Sequence, residues 1–215
     1  MMIRTLFVDA GGVLYNNINE ETDFLDRVAD RYGVDRRRLA RRVQASAPQY
    51  ESGARTVHEV IARLVAEERR SPVGTPAEAH WLDRAYLDSV RAYGNSFRAL
   101  SELRATRPEL TLVLTNNEAE HWDRLKDEVH GHFALFDVLC SSWRTGLVKP
   151  APAFFAEALR GCRATAAETL LVDDRATVLR VGAGLGMRTL HVSAPEVLAD
   201  RLGAAVRGGV QPSAR

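Results

Sequence analysis

The chain has 215 residues, 46% of them hydrophobic and 27% charged, ordinary values for a globular protein that buries a real core. Its 29 basic and 28 acidic residues leave a formal net charge of +1, so no overall field favours a nucleic acid or an anionic membrane as partner. No run approaches the ~18 apolar residues that span a bilayer, and the apolar start is too short, and broken by Arg4, for a signal peptide; a cytoplasmic protein is expected.

Ile3 to Val8 is the first short apolar run, and it ends at Asp9. Between about Asn16 and Asn95 the strand pattern disappears. Phe24, Leu25, Val28 and Tyr32 share one helix face, and Val57, Val60, Ile61, Leu64 and Val65 share another. Between them Arg36, Arg37, Arg38, Arg41 and Arg42 interleave with Leu39, Ala40 and Val43, which reads as a solvated helix face. A further helix is expected from Pro76 to about Tyr93. Breaks fall at Gly33, Pro48, Gly53 and the Ser71 to Pro76 stretch.

Beyond Asn95, strands and helices alternate. Phe97, Leu100 and Leu103 repeat at helical spacing. Leu110 to Leu114 runs into Thr115-Asn116-Asn117, and Glu118 to Val129 is helical. Phe136 to Cys140 ends at Ser141-Ser142, and Pro150 to Leu159 opens a helix with prolines. Thr169 to Val172 ends at Asp173-Asp174, Arg175 to Leu185 stops at Gly186, and Thr189 to Val192 is a weaker fifth run. The tail after Gly208 reads as frayed. Continuous apolar runs separated by helices predict a doubly wound, Rossmann-like α/β fold whose ligands bind at the carboxyl ends of parallel strands. The expected organisation is a core of residues 1–15 and 96–215 with residues 16–95 inserted as a helical cap.

The polar clusters at those strand ends carry the chemistry. Asp9 after a strand can ligate a metal or attack an electrophile, and Gly11 and Gly12 let backbone groups approach a small ion. Thr115 and Asn116 offer a hydroxyl and an amide to phosphoryl oxygens. Lys149, in Gly146-Leu147-Val148-Lys149-Pro150, can neutralise developing charge. Asp173 and Asp174 are adjacent carboxylates that call for a counter-cation, and Mg²⁺ uses one or two such ligands. Other features read blandly. Gly182, Gly184 and Gly186 are spaced wrongly for a dinucleotide loop; His130 and His132 read as loop residues, Trp81 and Tyr86 as core, and Cys140 as a buried thiol.

The order nucleophilic Asp, Thr, Lys, paired Asp resembles the four motifs of the haloacid dehalogenase-like superfamily. The stretches are Val8-Asp9-Ala10-Gly11-Gly12-Val13-Leu14, Leu114-Thr115-Asn116-Asn117, Gly146-Leu147-Val148-Lys149-Pro150 and Leu171-Val172-Asp173-Asp174. The helical insertion looks like the cap of its subfamily I. Tyr50-Glu51-Ser52-Gly53 is similar to a stretch in the branch with α-D-glucose-1-phosphate phosphatase and the amino-terminal phosphatase domain of soluble epoxide hydrolase. The resemblance implies a phosphatase acting on a small phosphorylated metabolite through an aspartyl-phosphate on Asp9. Mg²⁺ would lie between Asp9, the Gly11 carbonyl and the Asp173/Asp174 pair, with Thr115 and Lys149 on the phosphoryl oxygens.

Two positions depart from that pattern. Most phosphatases of the superfamily carry an aspartate, the general acid–base, where this chain has Gly11. Tyr15, Glu51 and His58 are the candidate replacements. Many relatives also place an asparagine at the position of Val178, in support of the aspartate pair. The alternatives are a dehalogenase-like reaction, although dehalogenases of the family usually have Thr in place of Val13, or a catalytically silent binding protein on the same scaffold.

Overall fold

The structure, a computed structural model, describes residues 2–69 and 74–207. Five short strands, β1 (Thr5–Val8), β2 (Thr111–Leu114), β3 (Val138–Leu139), β4 (Thr169–Asp173) and β5 (Arg188–His191), form one parallel sheet. Between β1 and β2 the described chain is helical: α1 (Ile18–Glu21), α2 (Phe24–Tyr32), α3 (Arg36–Glu51), α4 (Val57–Arg69), α5 (Pro76–Ser89) and α6 (Gly94–Thr106). The later helices are α7 (Glu120–His130), α8 (Ser142–Thr145), α9 (Pro152–Gly161), α10 (Ala176–Gly184) and α11 (Pro195–Arg207). Ser71 to Val73 of the expected loop and the tail after Gly208 lie outside the described residues.

The sheet order is β3-β2-β1-β4-β5. Strand order therefore reverses beside the central strand β1, which creates a crevice at the carboxyl ends of β1 and β4, where open α/β sheets bind ligands. The doubly wound fold expected from the strand–helix alternation is the one observed. Both sheet faces are covered, which is why the strands read as continuous apolar runs rather than alternating ones. Leu6, Val8, Leu112, Leu114, Leu170 and Val172 point to one face and meet Leu100 and Leu103 of α6 and Leu198 and Leu202 of α11. Phe7, Val113 and Leu171 point to the other and meet Phe154 and Phe155 of α9 and Val178 and Leu179 of α10. Each such side chain contributes ~1.5–3 kcal/mol on burial. Val178 is thus committed to packing.

A separate apolar cluster holds α2 to α5 together and takes in Ala119 and Trp122 at the start of α7. Local signals set these helices. Asp35 caps α3 by accepting from Arg38 N at 2.7 Å, and Thr75 with Glu78 makes a capping box for α5. Gly33, at φ 63°, stops α2. The two chain segments that lead into and out of this helical group run side by side: Tyr93 N donates to Leu14 O at 2.8 Å, and Arg91 N to Asn16 Oδ1 at 2.7 Å.

Two expectations are overturned here. Pro48 does not break the chain but sits inside α3. It forgoes one backbone bond in the last turn, while Leu39, Val43 and Tyr50 of the same helix are buried, and that packing outweighs the loss. His132 is not a loop residue in water; it is fully buried, with Nε2 3.3 Å from Asp123 Oδ1. The arginine-rich face of α3 is solvated as expected, with Arg36 paired to Asp30 and Arg42 to Glu67. Among the described residues no helix is long and apolar enough to cross a membrane.

Candidate active site

The register of the sheet brings the polar clusters together. Val8, Leu114 and Val172 sit level in neighbouring strands, so the residues that follow them emerge side by side. Thr115 N donates to Val8 O at 2.9 Å and Asp9 N to Val172 O at 3.0 Å, which extends the ladder to the mouth of the crevice. Asp9, Asp173 and Asp174 converge there, with one carboxylate oxygen of each within 4.8 Å of the others. Lys149 reaches in from the loop before α9. Its Nζ lies 2.9 Å from Asp9 Oδ2 and 2.6 Å from Asp173 Oδ2.

One buried lysine faces three carboxylates. Burial pushes the Asp9 carboxyl well above the usual carboxylate range; Lys149 pulls it down, and Asp173 and Asp174 push it up again. Asp174 is also raised, chiefly by burial. Burial works against the charge on Lys149, but Asp173 and Asp9 outweigh it and hold its pKa above the ordinary value. The cluster is short of positive charge. A divalent cation fits this donor set, because three oxygen ligands converge and Asp174 Oδ1 is buried without a hydrogen-bond partner among the described residues.

Glycine is required beside this cluster. Gly12 has φ +67°, and a Cβ there would lie 2.2 Å from Asp174 Oδ2. A neighbour fills the space beside Gly11: a Cβ at that position would meet Asn17 Oδ1 at 2.8 Å, and Asn17 Nδ2 donates to Asp174 Oδ2 at 2.8 Å. Asn17 therefore occupies the side-chain space of position 11 and steadies the second aspartate of the pair. Composition gave no sign of it.

Thr115 and Asn116 part company. Thr115 Oγ1 is buried with no partner among the described residues, an open donor beside the carboxylates. Asn116 Nδ2 donates to Asp123 Oδ1 at 2.9 Å, which leaves one of its two N–H groups for another acceptor, and its Oδ1 is buried without a partner among the described residues. Asp123 is a fully buried hub that also accepts from Ser141 Oγ at 2.9 Å and Trp143 Nε1 at 2.8 Å. Burial pushes its carboxyl up, yet the hydrogen bond from His132, the Lys126 charge and the Trp143 bond outweigh that and leave it below its ordinary value.

A cavity of about 210 Å³ is lined by sequence neighbours of Asp9, Thr115 and Asp174, with Ala10, Gly11, Asn116 and Arg175 among them. Ala10, Gly11 and Asn116 border it from the sheet side, and Tyr50, Glu51 and Tyr86 from the inserted helices. Of the three candidate acids, only Glu51 is there. Tyr15 is buried with its ring against Phe97 and His132, and His58 is paired with Asp83 on the far side of Trp122. Glu51 lies near Asn117, whose side chain accepts from Lys149 N at 2.9 Å and donates to Lys149 O at 3.0 Å. Burial and the Glu118 charge raise its pKa from 4.5 to about 7, against the pull of Arg175 and Lys149. Lys126 also lines this cavity, 2.6 Å from Glu118 Oε2.

The site thus presents an aspartate at the switch point of a parallel sheet, held by a lysine and faced by an aspartate pair. Residues 3–186 match the family described as "Hydrolase: haloacid dehalogenase-like hydrolase", and the chain belongs to that family. A haloacid dehalogenase family enzyme of Bacteroides thetaiotaomicron, bt-2542, superposes with TM-score 0.73 at 18% identity over 89% of this chain and 94% of that one. It has also been determined in complex with magnesium and inorganic phosphate. The L-2-haloacid dehalogenase of Xanthobacter autotrophicus, with chloropropionic acid covalently bound, superposes with TM-score 0.63 at 19% identity over 98% and 85%. At these identities the likeness is one of fold. A mouse protein, acyl-CoA dehydrogenase family member 10, is 33% identical over 144 residues, 67% of this chain but 13% of that protein.

Proposed function

We propose that this chain is a Mg²⁺-dependent phosphatase acting on a small phosphorylated metabolite, with Asp9 as nucleophile. The observation that carries the reading is the Asp9–Lys149–Asp173–Asp174 cluster with two open buried atoms, Thr115 Oγ1 and Asp174 Oδ1. Asp9, the Gly11 carbonyl and the Asp173/Asp174 pair would hold the ion. When bound it supplies the positive charge the cluster lacks and neutralises charge on the phosphoryl group. The magnesium and phosphate complex of the Bacteroides fold relative is consistent with this use of the scaffold.

An Asp9 carboxylate oxygen bonds to phosphorus while the bond from phosphorus to the leaving oxygen breaks. Lys149, in contact with Asp9 and Asp173, favours the ionised form of Asp9 against the burial that opposes it, to which a bound cation would add, and faces the phosphoryl oxygens; the Thr115 hydroxyl donates to another. Glu51, poised from the helical cap, gives its proton to the leaving oxygen. Its carboxylate then takes a proton from the water that attacks phosphorus and frees Asp9. A pKa of about 7 suits both duties near neutral pH. The cavity size and its polar rim favour a small polar substrate. We also propose that the protein is cytoplasmic.

Phosphate release is measured across phosphorylated sugars, acids and nucleotides, with Mg²⁺ or EDTA, beside Asp9→Asn. Release that needs Mg²⁺ and Asp9 is expected; release that survives Asp9→Asn contradicts the mechanism. Gly11 favours a second reading, dehalogenation, in which halide leaves without a proton. Halide release from 2-haloacids with no phosphate release would install it, and silence toward both would favour a binding role.

A further inference from the structure

The helical insertion meets the core at a second cluster of ligating side chains. His58 of α4, Asp83 of α5 and His121 of α7 converge, with one ligand atom of each within 4.8 Å of the others. His58 Nε2 lies 2.7 Å from Asp83 Oδ1, and His121 Nε2 lies 2.9 Å from Asp83 Oδ2. The two imidazoles stand edge to face, 4.7 Å between centroids. We propose that these three residues form a transition-metal site, suited to an ion such as Zn²⁺, that ties the inserted helices to the α/β core.

The geometry carries this in three ways. Bonds of ~2.0–2.2 Å to zinc place neighbouring ligand atoms ~3 Å apart, so the nitrogen–oxygen separations need to open by only a few tenths of an ångström. The carboxylate is already oriented from behind, because Trp122 Nε1 donates to Asp83 Oδ1 at 3.1 Å. The side chains of His58, Asp83 and His121 are 23%, 18% and 47% exposed, which gives an ion entry and leaves room for water as the fourth ligand. Two imidazoles with one carboxylate select a borderline ion, whereas the all-oxygen set around Asp9 suits Mg²⁺.

Without metal, an acceptor-only carboxylate between the two imidazoles requires each neutral ring to carry its proton on Nε2. Metal ligation through Nε2 moves each proton to Nδ1, so binding is written as two tautomer shifts with no net proton release from neutral rings. The ion would then cross-link α4 and α5 to α7. This site is independent of the phosphatase reading, and its test needs no turnover.

Zn²⁺ is titrated calorimetrically into the whole chain in excess Mg²⁺, with His58→Gln, His121→Gln and Asp9→Asn in parallel. One Zn²⁺ per chain is expected. Its affinity falls ~10–100-fold or more in each histidine variant and stays unchanged in Asp9→Asn. In the unmodified protein, long-range ¹H–¹⁵N spectra should move two histidines from the Nε2–H to the Nδ1–H tautomer on adding Zn²⁺. No Zn²⁺ binding, binding lost only in Asp9→Asn, or two unchanged tautomers would overturn the proposal.

Discussion

Replacing Glu51 by Gln should make the protein more stable and less active at once. The carboxyl is raised from 4.5 to about 7 in the fold, so the native state binds a proton more tightly than the unfolded chain. Below pH ~4.5 both states are protonated and the group costs nothing. As pH rises from there through 7, ionisation is opposed in the native state and stability falls. At ~1.4 kcal/mol per tenfold change in proton affinity, the cost at pH 8 is of order 1–3 kcal/mol. Glutamine carries no such penalty. Urea unfolding of the two proteins at pH 5 and pH 8 should therefore show a gap that opens with pH, in favour of Glu51→Gln. Over the same range kcat should drop ~10²–10⁴-fold for a substrate whose leaving group needs a proton. The wild-type profile should fall above pH ~7, in line with the carboxyl's shifted value, and that limb should vanish in the variant. Equal pH dependence of stability would refute the burial argument. Unchanged kcat with the limb intact would refute the acid role.

Gly12→Ala should cost ~1–2 kcal/mol of stability for a side chain in the left-handed region. It should also weaken Mg²⁺ binding at least ~10-fold, because Asp174 must move away from a Cβ that would lie 2.2 Å from its Oδ2; calorimetry with equal Mg²⁺ affinity in both proteins would contradict this. Asp123→Ala removes an acceptor shared by Asn116, Ser141, His132 and Trp143. Leaving those donors buried should cost ~3–5 kcal/mol, read as a lower denaturation midpoint, with Asp123→Asn milder; a change under ~1 kcal/mol would mean the hub is solvated. Gly11→Asp alone should loosen the aspartate pair by displacing Asn17, which is bonded to Asp174, and should lower Mg²⁺ affinity; higher affinity would show that Asn17 yields freely.

The fold was legible because its signals are local and redundant. Each core strand is a continuous apolar run, since both faces of β1, β2 and β4 are covered, and each run ends in a polar group that the parallel register then aligns. Asp9, Asp173 and Asp174 lie at such strand ends, and the fold brings Lys149 to them from the loop before α9. What the chain concealed depends on contacts distant in sequence. Asn17 lies 157 residues from the aspartate it holds, and nothing local marks it. Nor does anything local mark that Asn116 turns its amide toward the buried carboxylate of Asp123. His132 and Pro48 defied their local reading because tertiary packing outweighed it. Glu51 could be listed as an acid but not chosen, since only the fold shows that it borders the cavity while Tyr15 and His58 do not.

The most direct test of Asp9 as the attacking group is a rapid acid quench during a single turnover with Mg²⁺, followed by mass mapping of the protein. A phosphoryl group labile to hydroxylamine on the peptide that contains Asp9, absent with EDTA, is the predicted result. Turnover with no phosphorylated peptide, or with the phosphoryl group on any other residue, would contradict it.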